Sequence, residues 1–188
     1  GTTDGSTLGY QMRIWGNVDT AYDTDVQGTE GASAWITYQT SKQVRLSGGD
    51  GNKSIFVRIR DDVWNQSGQA SDSIILDQSL PVVSIAGPDL SRISKITGRN
   101  VSSFSFQVNE GFVEYKVKVV SATGAAHDTG VVIGTANGST NMAATGTYAP
   151  STPIACSING TDLEIASAGD GSKIIKVFVR DASGLWSA

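Results

Sequence analysis

Three carboxylates, Asp19, Asp23 and Asp25, fall close together in a stretch rich in Asp, Thr and Gly. Loop carboxylates are the oxygen donors a hard cation such as Ca²⁺ accepts, which makes these three the candidate metal ligands. Their spacing matches no EF-hand loop, so the competing reading is a solvated acidic loop. Asp61-Asp62 offers a second pair of oxygen donors. His127 is the only histidine and lies in a Gly/Ala-rich stretch, so a Ser-His-Asp triad has one candidate base and no supporting motif. No paired-cysteine or multi-histidine spacing suits zinc. The lone Cys156, between Ala155 and Ser157, reads as a small buried hydrophobe and not as a nucleophile. No catalytic residue is assigned, no cofactor other than Ca²⁺ is expected, and the chain reads as a non-enzyme.

The aromatic residues are the other candidates. Exposed indoles stack on sugar rings or anchor protein interfaces. Trp64 and Trp186 fall in loops at the same end of two similar segments. Trp15 lies on the strand face opposite Tyr10 and Met12, either exposed or covered by the loop that follows. Phe56 and Phe178 point away from their aliphatic faces, beside Arg58 and Arg180. These five are candidate partner or glycan contacts, with packing inside the protein as the alternative. Trp35 is expected in a core, because its counterpart in the second segment is Ile154.

The elements that must position these residues come from an internal repeat. Gly49-Asp50-Gly51-Asn52-Lys53 opens a strand that ends at Arg60-Asp61, and Gly169-Asp170-Gly171-Ser172-Lys173 opens one that ends at Arg180-Asp181. Gly49 maps to Gly169 and Asp61 to Asp181 at one constant offset of 120. Aliphatic residues recur at every second position, Ile55, Val57 and Ile59 against Ile175, Val177 and Val179, so each strand has one buried face. Such a repeat predicts two similar β-domains, 1–78 and 79–188.

Alternation also predicts strands at Tyr10–Trp15, Ser71–Leu76, Pro81–Ile85, Ser103–Val108 and Glu114–Val119. Shorter ones are expected at Trp35–Tyr38, Gln43–Leu46, Ile154–Ile158 and Leu163–Ile165, with one turn of helix between Glu30 and Trp35. Gly1–Gly9 reads as an extended tail or linker. The second domain carries an extra loop, 122–152, with Val131-Val132-Ile133 as an added edge strand. No sustained helical periodicity occurs. Terminal strands look missing at both ends against the seven or so of a sandwich. Either a longer chain or a neighbouring copy, by strand addition, would supply them.

Composition narrows the functional classes. The chain has 188 residues, 22 of them glycine, with 17% charged and a net charge of −4. That balance argues against nucleic-acid binding, which needs a basic patch. No apolar run is long enough for a membrane span. No signal peptide is visible at Gly1, although one removed earlier or lying upstream would leave this sequence. A single cysteine allows no internal disulfide.

The two Gly-Asp-Gly-x-Lys-x-Ile-x-Val-x-(Ile/Val)-Arg-Asp runs, the Asn65-Gln66-Ser67 and Leu185-Trp186-Ser187 loops and the Ser73–Pro81 junction resemble tandem immunoglobulin-like (fibronectin type III-like) repeats. Such repeats occur in bacterial surface proteins and phage virion proteins. Trp64-Asn65 and Gly184-Leu185-Trp186 depart from the Gly-Asn-x-Ser that commonly follows Arg-Asp there. The resemblance implies an all-β fold of two immunoglobulin-like sandwiches. It also implies a structural or surface-display role on a phage particle, as head fibre, decoration protein or tail appendage at the virion surface. Partners would be other virion or surface proteins, copies of the chain itself, and a host cell-surface glycan. The alternative is a segment of an extracellular bacterial adhesin or a carbohydrate-binding accessory module.

Overall fold

The computed structural model describes residues 9–188, and the chain divides into two compact units, Gly1–Gln78 and Ser79–Ala188. The expected tail, Gly1–Gly9, lies outside the described residues except for Gly9. Every named strand pair is antiparallel, and one short helix occurs among the described residues.

In the first unit, β1 (Gln11–Gly16), β2 (Ile36–Thr37), β3 (Gly51–Arg60) and β4 (Ala70–Leu76) form one sheet in the order β2-β1-β3-β4. Across β1 and β3, Met12 faces Ile59 and Ile14 faces Val57, so the two alternating patterns share one aliphatic face. Val18 and Val26 pack with Met12 and Ile14, and Ile36 and Val44 lean on the same cluster. Among the described residues, loop side chains and not a second sheet thus complete this small core. The expected strand at Gln43–Leu46 contributes only an isolated bridge, Leu46 to Val18. The expected helical turn is a hydrogen-bonded turn starting earlier, with Ser33 N donating to the Thr29 carbonyl.

The repeated Gly-Asp-Gly turn owes its lysine to a specific bond. Lys53 Nζ donates to the Gly48 carbonyl at 3.1 Å, and Lys173 Nζ donates to the Ala168 carbonyl at 3.1 Å. In both copies the ammonium reaches back five residues and closes the turn from below. Asp50 then accepts the backbone N–H of Gln78 at 2.8 Å, tying the end of the unit to the same turn.

The second unit contains β5 (Val83–Ala86), β6 (Val101–Val108), β7 (Phe112–Val120), β8 (Val131–Val132), β9 (Ala143–Tyr148), β10 (Ile154–Asn159), α1 (Gly160–Ala166) and β11 (Ile174–Asp181). One sheet runs β10-β6-β5; the other runs β11-β7-β8, with β9 also pairing β7. Both contribute to one core. Phe106, Val108, Cys156 and Ile158 come from the first sheet, and Phe112, Tyr115, Val117, Val119, Val177 and Val179 from the second. The aromatic centre is edge-to-face, with Phe106 and Tyr115 centroids 5.2 Å apart. Tyr148 closes it by stacking on Phe112 at 4.7 Å.

Two features of this unit differ from the sequence expectation. Leu163–Ile165, expected as a strand, lies in α1. Asn159 caps that helix by accepting from Thr161 N at 2.8 Å, and Asp162 sits in its first turn. Gly160 allows the close approach: a β-carbon there would lie 2.2 Å from the Ser94 carbonyl oxygen. The extra loop 122–152 holds two strands, β8 as expected and β9 in addition. Ile133 and Met142, next to these strands, are fully buried, so the insertion is part of the core.

Candidate functional site

The loops that follow the repeated strands, 61–67 and 181–187, share one hydrogen-bond frame. Asp61 N donates to Asn65 O at 3.0 Å, and Asp181 N donates to Leu185 O at 3.0 Å. Ser67 and Ser187 each return to the strand: their backbone N–H groups donate to Ile59 O and Val179 O. Their hydroxyls accept from Ile59 N at 3.0 Å and Val179 N at 3.1 Å. At offset 120 the partner of Trp64 is Gly184, and the partner of Trp186 is Gln66. The two tryptophans therefore occupy different steps of equivalent loops.

In the first unit the loop completes an aromatic–cation stack. Arg60 lies 3.9 Å from the Trp64 ring centroid and 4.3 Å from that of Trp35, so one guanidinium is held between two indoles. Arg13 stacks on Trp35 at 4.6 Å. Gln11 fixes Arg60 by accepting from its Nε at 2.7 Å. Trp35, expected in a core, is only half-buried and belongs to this charged face. Trp64 is 60% exposed and adopts φ 70°, a left-handed conformation that disfavours any side chain with a β-carbon. An exposed indole kept in a strained backbone marks a position worth attention for binding.

The second unit builds a related face with other parts. Trp186 stacks on His127 at 4.6 Å with planes 7° apart. Lys116 and Arg180 approach the same indole at 4.8 and 5.9 Å. Glu114 pairs with both cations, at 2.7 Å to Lys116 and 2.8 Å to Arg180. The hydrogen bond from Lys116 does most to hold the Glu114 carboxyl below its usual range; burial opposes this and Arg180 adds to it. Arg60 and Arg180, equivalent in the repeat, thus both lie against a tryptophan. Their indoles come from different loop steps.

The remaining expected contacts are internal. Trp15 is 7% exposed and stacks on the half-buried Phe56 at 5.8 Å. The loop after β1 runs beside it, with Gly16 N donating to Gln27 O. Phe178 is fully buried. Its face of β7 and β11 is crossed by the 122–130 segment, which two lysines tie down. Lys118 Nζ donates to His127 O at 2.6 Å and Thr129 O at 2.8 Å, and Lys176 Nζ to Ala125 O at 3.0 Å. Trp15 and Phe178 are therefore inaccessible to a partner. Alternation located their faces correctly, but loops cover them.

The acidic candidates are separately engaged. Asp23 pairs with Lys42, whose hydrogen bond is the main reason its carboxyl lies below the usual range. Its Oδ1 also accepts from Asp25 N at 3.0 Å. Asp19 accepts from Ala21 N at 3.1 Å and faces Arg45 at 3.6 Å. Asp19, Asp23 and Asp25 do not converge three carboxylates on one point. Asp61, the first of the second pair, spends its carboxylate within its own loop, on Val63 and Asn65.

His127 was visible in the sequence only as a lone imidazole; its stack on Trp186 needs the insertion to fold back over β7. Comparison with family models, curated proteins and solved structures returned no match.

Proposed function

We propose that the chain is a non-enzymatic structural or surface-display protein of a phage particle, built from two immunoglobulin-like domains, that binds partners through aromatic–cation faces. The observation that carries a binding role is Trp64, an exposed indole backed by Arg60 and kept in a left-handed backbone where glycine serves in the other unit. The immunoglobulin-like assignment draws support from two antiparallel sheets around one core in the second unit and from the repeated strand and loop in the first. The particle assignment rests on the resemblance of the Gly-Asp-Gly runs to virion repeats.

Assembly with copies of itself draws support from β4, an edge strand with exposed Ile74 and Ile75 and one side that pairs with no named strand. A second reading, an adhesin segment or carbohydrate-binding module, is favoured by the same indole, because a flat aromatic face suits a sugar ring.

Immunogold electron microscopy on particles and cells from the source tests the location. Label on heads or tails supports the first reading, and label on cell envelopes alone supports the second. Unchanged cell and glycan binding by a folded Trp64→Ala, Trp186→Ala double variant overturns the aromatic face in both.

A further inference from the structure

We propose that the aromatic–cation face of the first unit binds an acidic sugar, a pyranose ring bearing a carboxylate. Arg13 and Arg60 take the carboxylate and Trp64 takes the ring, a role that rests on the reading of Trp64 as a binding residue. Two copies of one cross-strand pair differ in charge. Arg60 and Arg180 are equivalent in the repeat, and each gives its Nε to the residue in register with it. The acceptor is Gln11 Oε1 at 2.7 Å in the first unit and Glu114 Oε2 at 2.9 Å in the second. Glu114 also pairs with Arg180 Nη2 at 2.8 Å, so the second unit neutralises its arginine. The first unit keeps the Nε bond and leaves the charge, because an amide stands where the other copy has an acid.

A second guanidinium without a counter-charge lies on the same strand face. Gln11 is opposite Arg60 and Arg13 opposite Arg58, so period two puts Arg13 and Arg60 on one side of the sheet. Both stack on Trp35, at 4.6 and 4.3 Å. Among the described residues neither pairs with a carboxylate, and Arg13 Nε is buried with no hydrogen-bond partner. Burial first, and then the charge of Arg13, hold the Arg60 guanidinium below its usual range. The nearby acids are used elsewhere. Glu30 pairs with Arg58 at 2.8 Å, and Asp61 turns its carboxylate to Val63 and Asn65. Two half-buried like charges side by side are unfavourable, and an anion between them relieves both.

The geometry also selects the anion. Trp35 and Trp64 cover the faces of the Arg60 guanidinium, so a ligand meets it edge-on, where its planar fork matches a carboxylate. The second unit places that same group, from Glu114, on the equivalent arginine. Trp64 lies 3.9 Å from Arg60 and stays 60% exposed, so an open indole adjoins the anion position. A sugar ring with its own carboxylate uses both parts at once. An acidic peptide would use the arginines and leave the indole idle.

The test titrates the full chain at low salt with trigalacturonate and its methyl ester, with sialyllactose and lactose, and with triglutamate. At least one acidic sugar is expected to bind at least about tenfold more tightly than its neutral counterpart. Arg13→Gln and Gln11→Glu should each remove about that factor, and Trp64→Ala should weaken the same acid. Gln11→Glu supplies in the first unit the carboxylate that Glu114 supplies in the second, and it decides the matter if Arg13→Gln does not fold. Equal binding of acid and neutral sugar, both weakened by Trp64→Ala, overturns the acidic preference and leaves the aromatic face standing. An acid preference unmoved by Arg13→Gln and Gln11→Glu places the anion elsewhere and overturns the site. Triglutamate binding as tightly as the acidic sugars assigns the face to an acidic peptide and overturns it too. Binding of neither acidic sugar overturns it as well, while the aromatic face is judged separately by cell binding of the Trp64→Ala, Trp186→Ala double variant.

Discussion

Trp64 and Gly184 occupy the same step of two loops with matching hydrogen bonds, at φ 70° and 91°. The left-handed conformation costs a residue with a β-carbon about 1–2 kcal/mol, whereas an exposed cation–π contact returns about 0.5–1 kcal/mol. Glycine is therefore at least as good as tryptophan for folding at position 64, so stability does not account for the indole, and the proposed binding role does. Trp64→Gly is expected to keep stability within about 0.5 kcal/mol of the parent while weakening partner or glycan binding at least about tenfold, or about 1.4 kcal/mol. Denaturant unfolding and a binding isotherm on the same variant read the two effects separately.

Lys53 tests the logic of the repeated turn. The residue is buried, and its ammonium donates to the Gly48 carbonyl. A hydrogen bond from a charged donor contributes about 1.5–3 kcal/mol, so Lys53→Met should lower stability by about that amount in urea unfolding. Lys173 makes the same bond from a more open position, and Lys173→Met should lose less. Equal and negligible losses would mean the glycines alone hold the turn.

Asp162 predicts a pH dependence with a definite sign. Burial works against its charged form, but hydrogen bonds from Asn137 and Ser139 together outweigh that and hold the carboxyl below its usual value. A folded-state value below the unfolded one gives stabilisation that is complete above the ordinary aspartate range and lost as pH falls through the folded value. The second unit should therefore weaken below about pH 4. Asp162→Asn should be less stable at neutral pH and show a flatter acid limb, measured by urea midpoints across pH.

Cys156 should be chemically silent in the folded protein. Burial pushes its thiol up to about 11, and its Sγ donates to the Asn141 carbonyl at 3.3 Å. Little thiolate exists at neutral pH, and the thiolate is the reactive form. A thiol reagent should label it at the rate of unfolding and no faster; prompt labelling of native protein would contradict its place in the core.

Much of the strand framework was legible because the strands that matter alternate. β1, β3, β7 and β11 present aliphatic residues at period two, and the Gly-Asp-Gly runs aligned the units without any structure. β9 was not legible: Ala143–Tyr148 is small and polar, and its pairing with β7 depends on Tyr148 reaching Phe112 across the chain. α1 was hidden for a related reason. Its capping residue Asn159 is itself the last residue of β10, and the aliphatic run Leu163–Ile165 is too short to display a period. Of the aromatic residues singled out in the sequence, Trp64 is exposed, and Trp15 is covered by the loop after it, one of its two expected outcomes. Phe178 is buried instead of open to a partner, and Trp35 is half-buried against arginines instead of in a core. Alternation assigns a side chain to a face and is blind to what a distant loop lays over that face.

The segment tied down by Lys118 and Lys176 changes the standing of β7. That strand has neighbours along both edges, core on one side and the 122–130 crossing on the other. Its amides can meet solvent only when the insertion lifts and the sheet opens together, so they should exchange with deuterium at the rate of whole-unit opening. Those of β4, an exposed edge strand, should exchange early. A piece that reads in the sequence as an extra loop would then set the slowest clock in the molecule.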